Sequence, residues 1–301
     1  MLGLILTSFF DFRVFSAMIK VKKRRLFMRI ITLIEDSQID GHVGAEHGLS
    51  FYIETENHKI LFDVGQSSLF ACNARRLHID LSLVDTVVIS HGHYDHGGGL
   101  EDFIRINDHA KIYIQKSAFD EYYSMRKENE YTYIGLDEKL DMSRFVLLEG
   151  DYRIDNEMLL INHIETHTLY PNSNHTMFKK IDEHMVLDDF KHEQSLLITS
   201  KEHNVLCAGC AHQGIVNIIN QAEKNLNNRH LDFVLGGFHL KSRFKSYEES
   251  IENIIEIAYI LKTKPVYKYY TGHCTGIRAY EIMKPILGDR LHYFYPGCVI
   301  E

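Results

Sequence analysis

Between Ser90 and Gly99 the chain reads SHGHYDHGGG, which places His91, His93, Asp95 and His96 within six residues and surrounds them with glycine. His91 and His93 are two apart, so in an extended segment their side chains point the same way and can hold one ion together. Asp95 and His96 follow after a turn and face a second position. The HxHxDH spacing therefore offers two nitrogens to one metal, and a carboxylate plus a nitrogen to another. Zinc accepts such ligands at about 2.0–2.2 Å, and catalytic sites leave one position open for water. Two ions about 3.5–4 Å apart hold a hydroxide at neutral pH and polarise the bond it attacks. The bland alternative is a solvated histidine cluster. Four correctly typed donors between an apolar run and a glycine run weigh against it.

The same device, a β-like run ending in a histidine loop, recurs at GCAHQG (209–214), GGFHL (236–240) and TGHCTG (271–276). Loops at strand ends are where a rigid sheet presents ligands. His239 has two readings: a group that hydrogen-bonds a substrate oxyanion or acts as general acid, or a satisfied loop histidine. His192 and Glu193, in FKHEQSLLI, are either supports of the metal ligands or ordinary strand-entry residues. Cys207 and Cys210 form a CxxC without a second CxxC, a weak sign of structural zinc or a redox pair. Cys298 reads as packing. The segment GQSS lacks the length and lysine of a phosphate-gripping loop, so no nucleotide is implied.

The 301 residues are 45% hydrophobic and 25% charged, enough for a sizeable core, and their 19 histidines exceed what a core needs. Five cysteines, odd in number and scattered, are not a secreted disulfide framework, so a reducing cytoplasm is the default. Residues 1–27 carry six basic side chains against Asp11, a net of +5, and the whole-chain −8 then leaves −13 for Met28 to Glu301. The apolar run in 1–27 is broken by Asp11 and Arg13 and is followed by its basic cluster. It therefore reads as an extension outside the fold, against the alternative of a membrane anchor or signal peptide. An acidic remainder argues against a nucleic-acid partner.

From Met28 the elements alternate. RIITLIED is strand-like, and LSFYIETENHKILFDVG is a hairpin around TENH. SSLFACNARRLHI is helical, VDTVVIS a buried strand, GGLEDFIRIN a helix and AKIYIQ a strand. The stretch 119–191 is polar and tyrosine-rich and reads as a substrate-side insertion with a few strands. QSLLITS and HNVLCAG form a second hairpin, GIVNIINQAEKNL a helix, LDFVLGG a strand and SYEESIENIIEIAYILKT an amphipathic helix covering a sheet. PVYKYYTGHCTG and LHYFYPGCVIE each read as a strand followed by a glycine loop. The expectation is a single α/β domain over 28–301.

The HxHxDH loop resembles the signature of the metallo-β-lactamase superfamily. EHGLSFYIET, GCAHQGIVNI, GGFHL and GHCTG look like its metal-dependent hydrolase subgroup, which is similar to the archaeal dihydropterin and ribofuranosylaminobenzene-phosphate synthases. The resemblance implies a four-layer αββα sandwich with the metal site at one edge, and gives Asp63 in ILFDVG the place of an aspartate that supports the metal loop. It implies His212 as the third ligand of a first metal with His91 and His93, and His273 as the late ligand of a second with Asp95 and His96. The family pattern also has a bridging aspartate, where this chain offers Cys210. A thiolate there can ligate zinc, or the second ion is held more weakly. Di-iron members usually carry a glutamate where this chain has His93, so zinc is expected, one ion or two, with manganese and iron as alternatives.

The leading functional expectation is a zinc-dependent hydrolase acting on an ester, phosphoester or related small molecule, with Asp95 and His239 as candidate catalytic residues. A synthase or lyase acting on a phosphorylated aromatic substrate is the enzymatic alternative, and a non-catalytic metal-binding sensor the alternative of another class. The expected partner is a small molecule, with neither nucleic acid nor membrane. A homo-oligomer is left open.

Overall fold

The computed structural model describes residues 28–39, 41–137, 139–166, 168–201 and 203–300, so the reading of 1–27 as an extension lies outside the described residues. In chain order the first half runs β1 (Arg29–Ile34), β2 (Ser50–Glu54), β3 (Lys59–Phe62), α1 (Leu69–Arg76), β4 (Thr86–Val88), α2 (Tyr94–Gly97), α3 (Leu100–Ile106) and β5 (Lys111–Gln115). The middle carries β6 (Tyr122–Lys127), β7 (Glu130–Tyr133), β8 (Phe145–Leu148), β9 (Tyr152–Arg153), β10 (Met158–Ile161), β11 (Met177–Ile181) and β12 (His184–Leu187). The remainder is β13 (Ser195–Thr199), β14 (Asn204–Cys207), α4 (Ile215–Lys224), β15 (Leu231–Leu235), α5 (Ile251–Thr263), β16 (Val266–Thr271), α6 (Gly276–Leu287), β17 (Leu291–Tyr293) and β18 (Val299–Ile300).

Two seven-stranded sheets result, ordered β18-β1-β2-β3-β4-β5-β8 and β17-β16-β15-β14-β13-β10-β9. Successive side chains on a strand point to opposite faces, and here both faces are covered. Ile30, Ile53 and Ile60 join Leu196, Ile198 and Val205 in a core between the sheets. Their neighbours Ile31, Tyr52 and Leu61 pack outward with Phe70 of α1 and Phe103 of α3. On the far side Leu197, Leu206 and Val234 pack against Ile218 of α4, Ile257 of α5 and Met283 of α6. This is a four-layer αββα sandwich, and burial on both faces explains why strands such as VDTVVIS read as unbroken apolar runs.

Each sheet is antiparallel on one side and parallel on the other. Strands β3, β4, β5 and β8 run parallel, as do β14, β15, β16 and β17. The histidine loops leave the carboxyl ends of β4, β14, β15 and β16, and open sheets of this kind gather ligands at such ends. The stretch 119–191 divides. β8, β9 and β10 extend the two main sheets, whereas β6, β7, β11 and β12 form a separate sheet ordered β12-β11-β6-β7. Helix α6 is an addition to the sequence-based elements. Pro285 stands in its last turn, so its missing N–H leaves the carbonyl of Glu281 without its helical partner only near the end of the helix. Helix α5 begins where Ser250 Oγ accepts a hydrogen bond from Asn253 N–H at 3.1 Å, an ordinary N-cap.

Ile53 is fully buried between the sheets. Ile53→Ala should therefore lower stability by about 2–5 kcal/mol, read as a lower denaturant midpoint with unchanged circular dichroism. A loss below about 0.5 kcal/mol, as at surface positions, would contradict the packed interior.

Candidate metal centre

The loop after β4 is anchored before it reaches its histidines. Asp63, at the end of β3 with φ 57°, is fully buried. Its Oδ1 accepts Ser90 N–H at 2.7 Å, and its Oδ2 accepts Ser90 Oγ–H at 2.8 Å and lies 2.7 Å from His96 Nδ1. That carboxylate places the proton of His96 on Nδ1 and leaves Nε2 free to ligate. His93 is extended, with φ −98° and ψ 144°, and the helical turn of α2 then carries Asp95 and His96. The change of conformation at residue 94 makes HxH and DH face two positions. Gly48 sits against the carbonyl of Asp95 so closely that a Cβ there would overlap it.

Six expected ligands fall into two sets. The donor atoms of His91, His93 and His212 lie within 4.8 Å of one another, with His91 Nε2 and His212 Nε2 3.3 Å apart. Asp95 Oδ2 lies 3.3 Å from His273 Nε2 and 3.6 Å from His96 Nε2. Cys210 Sγ is 3.1 Å from His96 Nε2 and groups with both His91 and His96, so the thiol stands between the sets. Two of the late rings are steered from behind. His212 Nδ1 is 3.1 Å from Asn174 Oδ1, and the ring stacks on Phe190 at 4.3 Å; His273 Nδ1 is 2.6 Å from Asp36 Oδ1.

His192 and Glu193 take the supporting role. His192 Nδ1 accepts Gly92 N–H at 2.9 Å while Nε2 lies 3.0 Å from Asp188 Oδ2. Glu193 accepts the N–H groups of His212 and Gln213, both at 2.7 Å. Glu35, Asp36, His47, Asn174, Asp188 and Cys274 went unread in the sequence. Glu35 Oε1 accepts His273 N–H at 2.8 Å, and His47 bridges Asp36 and Asp95 at 3.1 and 3.3 Å. A sequence signal for Asp36 exists only in retrospect, as an acidic pair closing the first strand.

Electrostatics suit cations. Burial, then repulsion from His96 and His93, holds His91 well below its ordinary value of 6.5; burial, then the charge of His192, holds His93 at about 3. His212 is likewise pressed down by burial and by His239. Three neutral imidazoles thus offer lone pairs to one point. Burial alone would raise Asp95, but His96 and the hydrogen bond from His273 outweigh it and keep the carboxylate ionised. His93 Nε2 and both ring nitrogens of His239 are buried and bond no oxygen or nitrogen. The orphaned His93 Nε2 fits a metal, which would supply its missing partner. His239, with φ 51°, lies 4.0 Å ring to ring from His212 and beside the thiols of Cys210 and Cys274.

Both sets open into a cavity of about 440 Å³, whose walls include Tyr94, Met125, Arg126, Lys241 and Arg243. Arg126 comes from β6 of the small sheet, and Arg243 from the loop after β15. Burial and the charge of Arg243 lower Arg126 from its usual value.

A family model described as the metallo-beta-lactamase superfamily matches residues 43–176. The chain is 28% identical over 293 residues, 91% of itself and 96% of the relative, to a 7,8-dihydropterin-6-methyl-4-(beta-D-ribofuranosyl)-aminobenzene-5'-phosphate synthase of Methanocaldococcus jannaschii. It is 30% identical over 257 residues, 83% of itself and 92% of the relative, to an uncharacterized protein of the same archaeon. The crystal structure of a metal-dependent hydrolase of the beta-lactamase superfamily superposes with a TM-score of 0.75 at 31% identity, covering 91% of this chain and 98% of that one.

Two outcomes test the site as described. Asp63→Asn, which cannot hold the His96 proton in the same way, should weaken metal affinity about 10–100-fold, measured by competition with a chromogenic chelator; unchanged affinity would remove the supporting role. In chelator-stripped protein the lowered imidazoles bind fewer protons folded than unfolded. Stability present above the unfolded value of 6.5 is therefore lost as pH falls toward the folded values, about 3 for His93. The melting temperature should drop from about pH 6.5 to about pH 5, and less steeply in His93→Gln. Equal slopes would show that His93 is charged in the fold.

Proposed function

The chain belongs to the metallo-beta-lactamase superfamily, and on that premise we propose that it is a zinc-dependent hydrolase cleaving an ester or phosphoester of a small anionic molecule. The observation that carries this reading is the meeting of two donor sets around Cys210 at the floor of the cavity. His91, His93 and His212 would hold one ion and Asp95, His96 and His273 a second, with the Cys210 thiol placed to join them. A set rich in imidazole with one thiolate suits zinc better than manganese. Bound ions of this kind supply a water nucleophile at neutral pH and polarise the bond under attack.

The protein's own groups do the rest. Asp95, held as a carboxylate, accepts a hydrogen bond from the attacking water. His239, whose nitrogens have no oxygen or nitrogen partner, donates to the oxygen on which charge develops. Arg126 and Arg243 converge from different elements, and neither is paired with a carboxylate among the described residues. Like charges held together without a counterion favour an anionic group on the substrate, and guanidinium forks match phosphate geometry. Five free thiols accord with a reducing cytoplasm, and no helix among the described residues is long and apolar enough to cross a membrane.

A second reading is favoured by the synthase relative: group transfer or elimination on a phosphorylated aromatic compound, in which water is not consumed. Reaction in ¹⁸O-labelled water separates the two, because only hydrolysis leaves label in the product.

Zinc-loaded protein should contain two ions per chain by elemental analysis; a single ion would mean that Cys210 joins no second site. His93→Ala should lose metal and activity together. His239→Ala should keep metal and turn over more slowly, by about 10²-fold for a lost charge-stabilising donor. Arg126→Ala should raise KM for a phosphorylated ester about tenfold while leaving a neutral ester unaffected, a difference near 1.4 kcal/mol. Normal metal in the first variant, or lost metal in the second, would show the roles are misassigned.

A further inference from the structure

Two thiols far apart in sequence meet in this cavity. Cys210 follows β14 and Cys274 follows β16, and β15 lies between those strands. Adjacent strands are spaced about 4.8 Å, so residues two strands apart ordinarily stand roughly 10 Å from one another. Here the intervening strand ends in Gly236 and Gly237, which present no side chain. A Cβ at Gly237 would overlap Cys274 Sγ, and Gly237 N–H donates to Gly209 O at 2.7 Å, drawing the three strand ends together. The Cys274 thiol donates to Cys210 O at 3.5 Å, and the two sulfurs lie within 4.8 Å of each other. Both residues line the cavity and are reached from it. Cys207 is buried in the core between the sheets, with Cys298 packed against that core, and Cys72 lies on α1.

We propose that Cys210 and Cys274 form a reversible dithiol–disulfide pair, a modification site whose oxidant is a small-molecule disulfide of the glutathione type. Cys274, the more exposed of the two, attacks the oxidant's S–S bond and releases one thiol. Cys210 then displaces the second half from the mixed disulfide. One S–S bond forms in the protein and one breaks in the oxidant, and the two protons leave on the two released thiols. Closure needs side-chain rotation from contact distance to about 2.05 Å. On the metal assignment above, closure also removes the shared donor, so oxidation should expel zinc.

The test uses the full-length, zinc-loaded chain incubated with oxidised glutathione. Titratable thiols in unfolded samples should fall from five to three, and mass spectrometry should find a peptide pair linking residues 210 and 274. Dithiothreitol should restore all five. Cys72→Ser and Cys298→Ser should still lose two thiols, whereas Cys274→Ser should form no internal link. Retention of all five thiols in the parent protein, a link to Cys72, Cys207 or Cys298, or a mixed disulfide that persists on Cys274 would each overturn the pair. Released zinc is read separately with a chromogenic chelator. A 210–274 link formed with zinc fully retained would leave the pair standing and remove Cys210 from the ligand set.

Discussion

One buried carboxylate sets the geometry on which the rest depends. Asp63 has no solvent exposure, so its charge has to be met by protein donors. It is met by Ser90 N–H, Ser90 Oγ–H and the imidazole of His96. Those three contacts join the end of β3 to the loop after β4, fix the start of that loop and select the tautomer of its last histidine. Ser90 Oγ also lies 2.9 Å from His91 Nδ1, so both ends of HxHxDH are tied to one group. Removing one partner from such a buried network leaves an uncompensated charge, which costs far more than an exposed contact of equal length.

The centre spends stability on its chemistry. Three imidazoles are packed close enough to suppress one another's protonation, and Asp63, Ala211, His239 and His273 all hold left-handed backbone that residues with a Cβ seldom adopt. These concessions lie at strand ends around the cavity, above layers packed mainly from Ile, Leu, Val and Phe. The scaffold is regular so that the rim can be irregular.

Much of this was legible in the sequence, for reasons that differ by residue. HxHxDH declares itself because its four donors are consecutive enough for local geometry to sort them. The sandwich is legible because buried strands leave unbroken apolar runs. His212, His273 and Cys210 could be reached only through family resemblance, since their meeting depends on which strand ends lie side by side. Asn174 has no local mark, Asp36 has one only in retrospect, and Cys274 sits unread inside TGHCTG; each acquires its role from a neighbour that is remote in sequence, as Asp36 does from His273. His192 and Glu193 have two readings in the sequence, and the one backbone N–H that each oxygen of Glu193 accepts favours support. Helix α6 escaped because Pro285 and a mixed polar pattern hide its buried stripe of Ala279, Met283 and Leu287.

The two seven-stranded sheets contribute unequally but jointly to the donor sets. His91, His93, Asp95 and His96 hang from the first, and Cys210, His212 and His273 from the second. Any ion held by such a set is thereby a rivet through the sandwich, added to a seam of apolar contacts and of a few hydrogen bonds such as those from His273 to Glu35 and from Gln194 to Ile89. Loading and folding then become one equilibrium: an ion that binds only the assembled pair of sheets lends its binding free energy to their cohesion. The resistance of the two halves to sliding past one another would follow the supply of metal around the protein, and the fold itself would act as a gauge of that supply.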